Sequence, residues 1–408
     1  MTAAADHLSD VSPPARADRP ALRLLIVCQN ASMRMGGEAS LPLYYFRILR
    51  RRGHDVRMVT HARVRDELRQ TLPASEFARV GFVEDTRPLV LLWKAGERLL
   101  PNRVRDLAYF QLLHLMVMRR VRRRARALVG AHGVQAVFEP MPITPRGLSV
   151  MHRMGAAVVI GPMCGGLEFP PAFRRLDSAV SRVAIDVSRR ASDLAHRLVP
   201  GKRRAQALLV ADRRTAAALP RGCRGRVYQV VESGVDLAIW KPRARPAPGP
   251  GAAVRYVFAG RFVDVKGISY LVRAVARVPK ETPVILELVG DGPLRSELEG
   301  VARAAGVEER VRFRGWLSRP EAAELIGACD VFVLPSLREC GGTAILEAMA
   351  MGLPVIVTNW AGPRNYVTPA CGILVDPDSP EGFVRGLSDA IARLARDPGL
   401  RARMGEAG

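Results

Sequence analysis

Cysteine is scarce and scattered: six residues in 408, Cys28, Cys164, Cys223, Cys329, Cys340 and Cys371, with no C-x-x-C and no histidine at ligand spacing. This excludes a disulfide framework and a zinc site, and it fits a reducing cytoplasm. Long apolar runs are missing as well. None approaches the roughly 18 residues needed to span a bilayer, so a soluble or peripheral protein is expected. The opening MTAAADHLSDVSPPARADRP has no apolar core followed by a cleavage signal, so residues 1–20 are expected to form a disordered leader rather than a signal peptide. No paired-aspartate metal motif stands out, and the basic segments lack interleaved aromatics. Neither a metal, a cofactor nor a nucleic-acid partner is therefore expected.

What is present is length, apolar content and positive charge. With 408 residues, 48% of them hydrophobic, the chain can form two or three domains, each with a full core. Its 62 Lys+Arg against 39 Asp+Glu give a net charge of +23. Residues 1–240 hold 40 against 20, whereas residues 241–408 hold 22 against 19. The first-half excess is nearly all arginine. It can reflect a GC-rich coding sequence and a solvated face, or attraction to anionic lipid or an acidic acceptor.

Ala21–Cys28 (ALRLLIVC) is a branched apolar run of the buried parallel-strand type. QNASMRMGGEAS follows, then LPLYYFRILRRRGHDV with apolar residues at helical spacing, then a strand over Val56–Thr60. Strand, glycine loop, helix, strand is a βαβ unit, so the first half opens as a Rossmann-like domain. Gly36 and Gly37 lie where loop meets helix. They can bring backbone N–H groups to a pyrophosphate, or serve only as a flexible loop. Pro88–Trp93 is a candidate strand. Arg105–Val129 is helical in period and ends in RRVRRRAR, which suits a core helix or, through its basic end, a membrane-lying one. Val134–Phe138 and Ala156–Ile160 are further strands, the second running into the loop GPMCGGLEFPP, and arginine-rich helices are expected over 174–219. RARPAPGPG marks a linker at 241–251, which separates residues 21–240 from 252–408.

Beyond the linker the alternation is cleaner. Strand Val254–Ala259 leads to GRFVDVKG, helix Ile268–Val278, strand Val284–Val289 and GDGP. Strand Val311–Phe313 leads to Gly315-Trp316-Leu317 and a helix opened by SRPE, a capping box. Strand Asp330–Leu334 then enters PSLRECGGTAILEAMAMGLPVIV. Here Glu339 and Glu347 flank Cys340-Gly341-Gly342-Thr343, with Glu347 expected in the first helical turn. Backbone N–H groups of Gly341, Gly342 and Thr343 at the helix start attract anions, phosphate above all. Arg261 and Lys266, following Gly260, are placed to neutralise a leaving diphosphate. Glu347 can accept both ribose hydroxyls, Glu339 can hold hydroxyls of a donor sugar, and Trp316 and Leu317 can frame a base. Singly, each has a plainer reading: surface charge for Arg261 and Lys266, core packing for Trp316, a helix-dipole contact for Glu347. Together, after successive strands, they point to a nucleotide-sugar site in a cleft between two doubly wound domains.

On these residues the second half resembles the C-terminal domain of the family 4 glycosyltransferases of the group 1 type, retaining enzymes of the GT-B fold. The likeness rests on the E-x7-E pattern Glu339 to Glu347, on GRFVDVKG, LVGDGPLRSELE, VRFRGWLSRPEAAELIGACDVFVLPS and ESGVDLAIWKP, and in the first half on MGGEASLPLYYFRILRRRGHDVRMVT and GPMCGG. The resemblance implies an α/β fold of GT-B architecture, two Rossmann-like βαβ domains facing each other across an interdomain cleft. Residues 21–240 would bind the acceptor and 252–408 the nucleotide sugar. It further implies that Arg261 and Lys266 contact the donor phosphates, Glu347 the ribose and Glu339 the transferred sugar, with Gly36 and Gly37 near the diphosphate. The same donor-binding set takes in Gly260, Trp316, Leu317, Cys340, Gly341, Gly342 and Thr343, and Glu339, Arg261 and Lys266 carry the catalytic role.

The expected reaction is metal-independent retaining transfer from a nucleoside-diphosphate sugar to a polysaccharide, lipid-linked or other glycan acceptor, in the cytoplasm or on the inner face of the cytoplasmic membrane. Two departures from the family stand out: FEPMP replaces the histidine many relatives carry after the strand at Val134–Phe138, and the helix that usually returns to the first domain is not expected before Gly408. The alternatives are a nucleotide-sugar 2-epimerase-like isomerase and a basic nucleic-acid-binding protein.

Overall fold

The computed structural model describes residues 20–35, 37–99, 110–141, 143–176, 192–242 and 251–408. Two compact units result, the first made of Met1–Gly166 with Val183–Glu232 and the second of Leu167–Arg182 with Ser233–Gly408. In the first, β1 (Arg23–Val27), β2 (Asp55–His61), β3 (Val80–Val83), β4 (Ala136–Glu139), β5 (Ala157–Met163), β6 (Ala207–Val210) and β7 (Arg226–Gln229) form one parallel sheet in the order β3-β2-β1-β4-β5-β6-β7. Alternation along β1 sends Leu25 and Val27 into an apolar layer with helix Phe110–His132, and Ile26 into another with Leu43 and Phe46 of helix Gly37–Arg51. Both faces of the sheet are thus covered, as parallel strands require.

The second unit repeats the plan with β8 (Val254–Ala259), β9 (Val284–Val289), β10 (Val311–Gly315), β11 (Val331–Leu334), β12 (Val355–Thr358) and β13 (Gly372–Val375), ordered β10-β9-β8-β11-β12-β13 and parallel throughout. Strand order reverses between β1 and β4 in one sheet and between β8 and β11 in the other. Open α/β sheets bind ligands outside the carboxyl ends of strands at such points.

Several expectations change. Pro88–Trp93 is not a strand but part of helix Arg87–Leu99. A short apolar run is ambiguous by periodicity alone, and Pro88 in a first turn was the stronger signal. The arginine-rich span expected as helix over 174–219 contains β6, whose Leu208 and Val210 are fully buried, and β3 was not foreseen at all. The segment after GPMCGG leaves the first unit. Phe169 and Phe173 enter the second core, where Phe173 meets the rings of Tyr270 and Phe383 edge-on, and Trp240 joins them there. Apolar burial therefore moves the boundary from residue 240 to Glu232 and assigns 167–182 to the second unit. Most of the linker and the leader lie outside the described residues.

One charged cluster binds the strands that carry the candidate site. Glu287 of β9 is fully buried and accepts from Arg255 of β8 at 3.0 Å and from Arg314 of β10 at 2.6 and 3.2 Å, with Arg312 at 3.5 Å. Burial alone would raise its pKa, but the hydrogen bonds from Arg314 and Arg255 outweigh it and hold the carboxyl below its ordinary value. A lowered folded pKa gives stability that is present above the unfolded carboxylate range and lost as pH falls through the folded value. Glu287→Gln should therefore cost about 2 kcal/mol at neutral pH, less than a wholly buried pair because the arginines reach solvent. Urea unfolding from pH 7 to pH 3 should show the variant less pH-sensitive than the wild type.

Candidate functional site

The site in the second unit begins with a close backbone approach. β8 ends at Ala259, and the chain turns through Gly260 and Arg261 into a short 3-10 turn, Asp264–Lys266, closed by Gly267 at φ 65°. A Cβ on Gly267 would overlap the carbonyl oxygen of Pro335 in the loop after β11. Leu337 N donates to Val265 O at 2.8 Å, so the two loops at the switch point are joined through their backbones. Only glycine allows both the left-handed backbone and this contact.

Lys266 and Glu339 meet as a result. Lys266 Nζ donates to Glu339 Oε2, and Ser336 Oγ donates to the same oxygen at 3.1 Å. Arg261 is exposed, and its guanidinium has no side-chain partner among the described residues. Past Glu339 the chain packs against another loop, and a Cβ on Gly362 would overlap Cys340 O, while Gly362 N donates to Glu339 O at 3.2 Å. Gly341 and Gly342 are buried and Thr343 is exposed. Gly342 caps helix Thr343–Ala350 with no side chain, so no side chain closes off its first N–H groups. Thr343 Oγ1 donates to Ser233 Oγ at 3.3 Å.

Glu347 is the fifth residue of this helix, one turn in rather than in the first turn as expected. That removes the helix-dipole explanation for it. Its side chain is 13% exposed, and Arg319 Nη2 donates to its Oε1 at 3.3 Å. Burial raises the Glu347 pKa, and the Arg319 charge and hydrogen bond oppose that. Trp316 is 73% exposed, which discards core packing, while Leu317 packs on the core.

Sequence reasoning missed Arg319 and Ser336. Arg319 was legible as a cation in the first turn of a helix, where the dipole disfavours it. Ser336 had no signal beyond standing three residues before Glu339.

Gly37 opens helix Gly37–Arg51 of the first unit, and Gly36 lies outside the described residues. The loop before them is held in place. Glu67 accepts from Ser32 Oγ at 2.6 Å and Met33 N at 2.7 Å, and Ser32 Oγ accepts from Arg34 N and Met35 N. At the end of β4, in FEPMP, Glu139 is fully buried and accepts from Ser149 Oγ. Burial pushes it up to about 8. Buried Lys202 donates to Thr144 O and, at 3.1 Å, to Pro145 O, and burial lowers it to about 7. These groups pin the loop that leaves β4.

The second half has known counterparts. Residues 248–408 match the family model of glycosyl transferases group 1. The chain is 40% identical over 160 residues to the lipopolysaccharide core biosynthesis glycosyltransferase LpsE of Rhizobium meliloti, covering 39% of this chain and 44% of that one. It is 32% identical over 203 residues to the D-inositol 3-phosphate glycosyltransferase of Kribbella flavida, covering 46% and 47%. The chain thus spans about half the length of the curated relatives it matches. Among solved structures, Anabaena Alr3699/HepE in complex with UDP superposes with a TM-score of 0.61 at 17% identity, covering 94% of this chain and 93% of that one. WaaG, a glycosyltransferase involved in lipopolysaccharide biosynthesis, gives 0.56 at 17%, covering 94% and 93%. The chain accordingly has the two-domain GT-B fold, and its residues 248–408 match the model of the group 1 glycosyl transferases.

Proposed function

We propose that this protein is a retaining, metal-independent family 4 glycosyltransferase, with the donor in the second unit and the acceptor in the first. The observation that carries the reading is the junction at β8 and β11. Two cations, Arg261 and Lys266, an open helix start at Gly341–Thr343 and two carboxylates, Glu339 and Glu347, converge at the switch point of one sheet. A nucleoside-diphosphate sugar needs that set: cations and N–H donors at the phosphates, acceptors at the ribose and sugar hydroxyls, and Trp316 with Leu317 beside the base. The UDP complexes of HepE and the lipopolysaccharide names among the relatives support a nucleotide-sugar donor and a glycan or lipid-linked acceptor. Isomerase and nucleic-acid readings have no comparable support.

In this reaction the bond from the sugar's anomeric carbon to the phosphate oxygen breaks, and the bond to the acceptor oxygen forms on the same face. The acceptor's proton passes to the departing phosphate oxygen. Negative charge grows on the diphosphate, so Arg261 and Lys266 act more strongly on the transition state than on the bound donor. Lys266 enters that role by exchanging its Glu339 contact for phosphate, which frees Glu339 for sugar hydroxyls. No metal ion is needed where two cations and a helix start neutralise the leaving group.

The same reading places the protein at the inner face of the cytoplasmic membrane. Helix Arg87–Leu99 exposes Leu91 and Trp93, and Arg119, Arg122, Arg123 and Arg126 line a surface pocket of about 490 Å³ on helix Phe110–His132. Burial, with the charges of Arg126 and Arg153, holds Arg122 below its ordinary pKa. Among the described residues no helix is long and apolar enough to cross a membrane.

Lys266→Ala and Arg261→Ala should each lower turnover by roughly 100-fold or more with the far-UV spectrum and Tm preserved; near wild-type turnover in either would overturn the phosphate assignment. Dialysis against EDTA should leave activity intact, and a loss restored by magnesium or manganese would refute metal independence. In flotation, the protein should rise with anionic vesicles at low salt and stay down with neutral ones; indifference to lipid charge would remove the membrane assignment.

A further inference from the structure

Each acid of the E-x7-E pair is met by a cation from a different strand-to-helix junction. Glu339 has Lys266, from the turn after β8, and Glu347 has Arg319, from the turn after β10. Lys266 has a second duty toward phosphate in the proposed reaction.

Arg319 is poorly placed to stabilise its own helix. It is the first residue of helix Arg319–Gly327, where the macrodipole is positive and a cation is disfavoured. The helix start is already satisfied by other residues: Ser318 and Glu321 form a complete capping box, and Pro320 stands in the first turn. What the position does provide is reach. The guanidinium lies 3.3 Å from Glu347 Oε1, across 28 residues of sequence, and three residues after exposed Trp316.

Glu347 needs such a partner. Its side chain is 13% exposed on a helix with a buried face, so its charged form is disfavoured, and Arg319 is the charged group that acts on it. A ribose presents two adjacent hydroxyl donors. An ionised carboxylate accepts from both, whereas a protonated one has lost an acceptor and gained a competing donor.

We propose that Arg319 is a positioning residue that holds the Glu347 carboxylate toward the ribose diol, so that donor recognition in this chain depends on the Arg319–Glu347 pair. The inference rests on the nucleotide-sugar reading above. It assigns Arg319 to ribose discrimination rather than to catalysis, since it touches Glu347 and not the reacting atoms.

The test is calorimetric binding of UDP and of 2′-deoxy-UDP to the full chain at pH 6.0 and pH 8.5, for wild type, Arg319→Ala and Arg319→Lys, with GDP and ADP as further wild-type probes. Without Arg319 the Glu347 pKa rises further, so ionisation is lost as pH falls. Arg319→Ala should weaken UDP binding relative to wild type by about tenfold at pH 6.0 and by clearly less at pH 8.5. The preference for UDP over 2′-deoxy-UDP should collapse toward one, and Arg319→Lys should restore most of both. An equal loss at the two pH values with the ribose preference kept, or no loss, overturns the proposal. Should Arg319→Ala unfold, the lysine variant decides: a conserved cation that fails to preserve ribose preference also overturns it. Wild-type protein that binds none of the three nucleotides overturns the nucleotide reading itself, and this inference with it.

Discussion

The contact between Gly267 and the Pro335 carbonyl oxygen is the constraint on which the candidate site depends. β8 and β11 are neighbours at the strand-order reversal, so the loops leaving their carboxyl ends emerge side by side. They can exchange backbone hydrogen bonds only because no side chain intervenes at Gly267. That approach sets Lys266 against Glu339, and the loop continues into Cys340, which Gly362 lets lie against a third loop. Backbone contact between the loops therefore sets the positions of Lys266 and Glu339.

Further from the loops, Glu287 does similar work within the sheet. One buried carboxylate draws arginines from β8 and β10 onto β9, and the strands so joined lead into the loops that carry Arg261 and Trp316. In the first unit the corresponding loops are held by different means. Glu67 gathers the hydroxyl and backbone N–H groups of the loop after β1, and Lys202 holds the carbonyls of the loop after β4 above buried Glu139. The loops of the second unit are tied through glycine contacts, and those of the first through buried polar groups.

Much of the second unit was legible because its strands are uniformly apolar and its turns carry Gly, Pro and capping residues. The strand Val284–Val289, the capping box at Ser318 and the acids at 339 and 347 could all be read from local chemistry. The first unit resisted because its local signals conflict. PLVLLW reads as a strand by composition, yet Pro88 starts a helix, and ALLV at 207–210 is hidden between arginine-rich segments although the sheet buries Leu208 and Val210. Phe169 and Phe173 belong to a core whose next buried member along the chain is Trp240, and no local pattern announces so distant a partner.

The sequence by itself determined the doubly wound class of each half and the chemical types gathered at the second site: two acids at fixed spacing, two cations after one strand, glycines at a helix start. Periodicity and turn chemistry are local properties, and local properties survive in one dimension. Only the tertiary structure decided the pairings, Lys266 with Glu339 and Arg319 with Glu347, and which strap of chain belongs to which core. Those outcomes depend on strand order, which brings together residues 28 to 73 positions apart, and separation of that kind leaves no periodic trace in the chain.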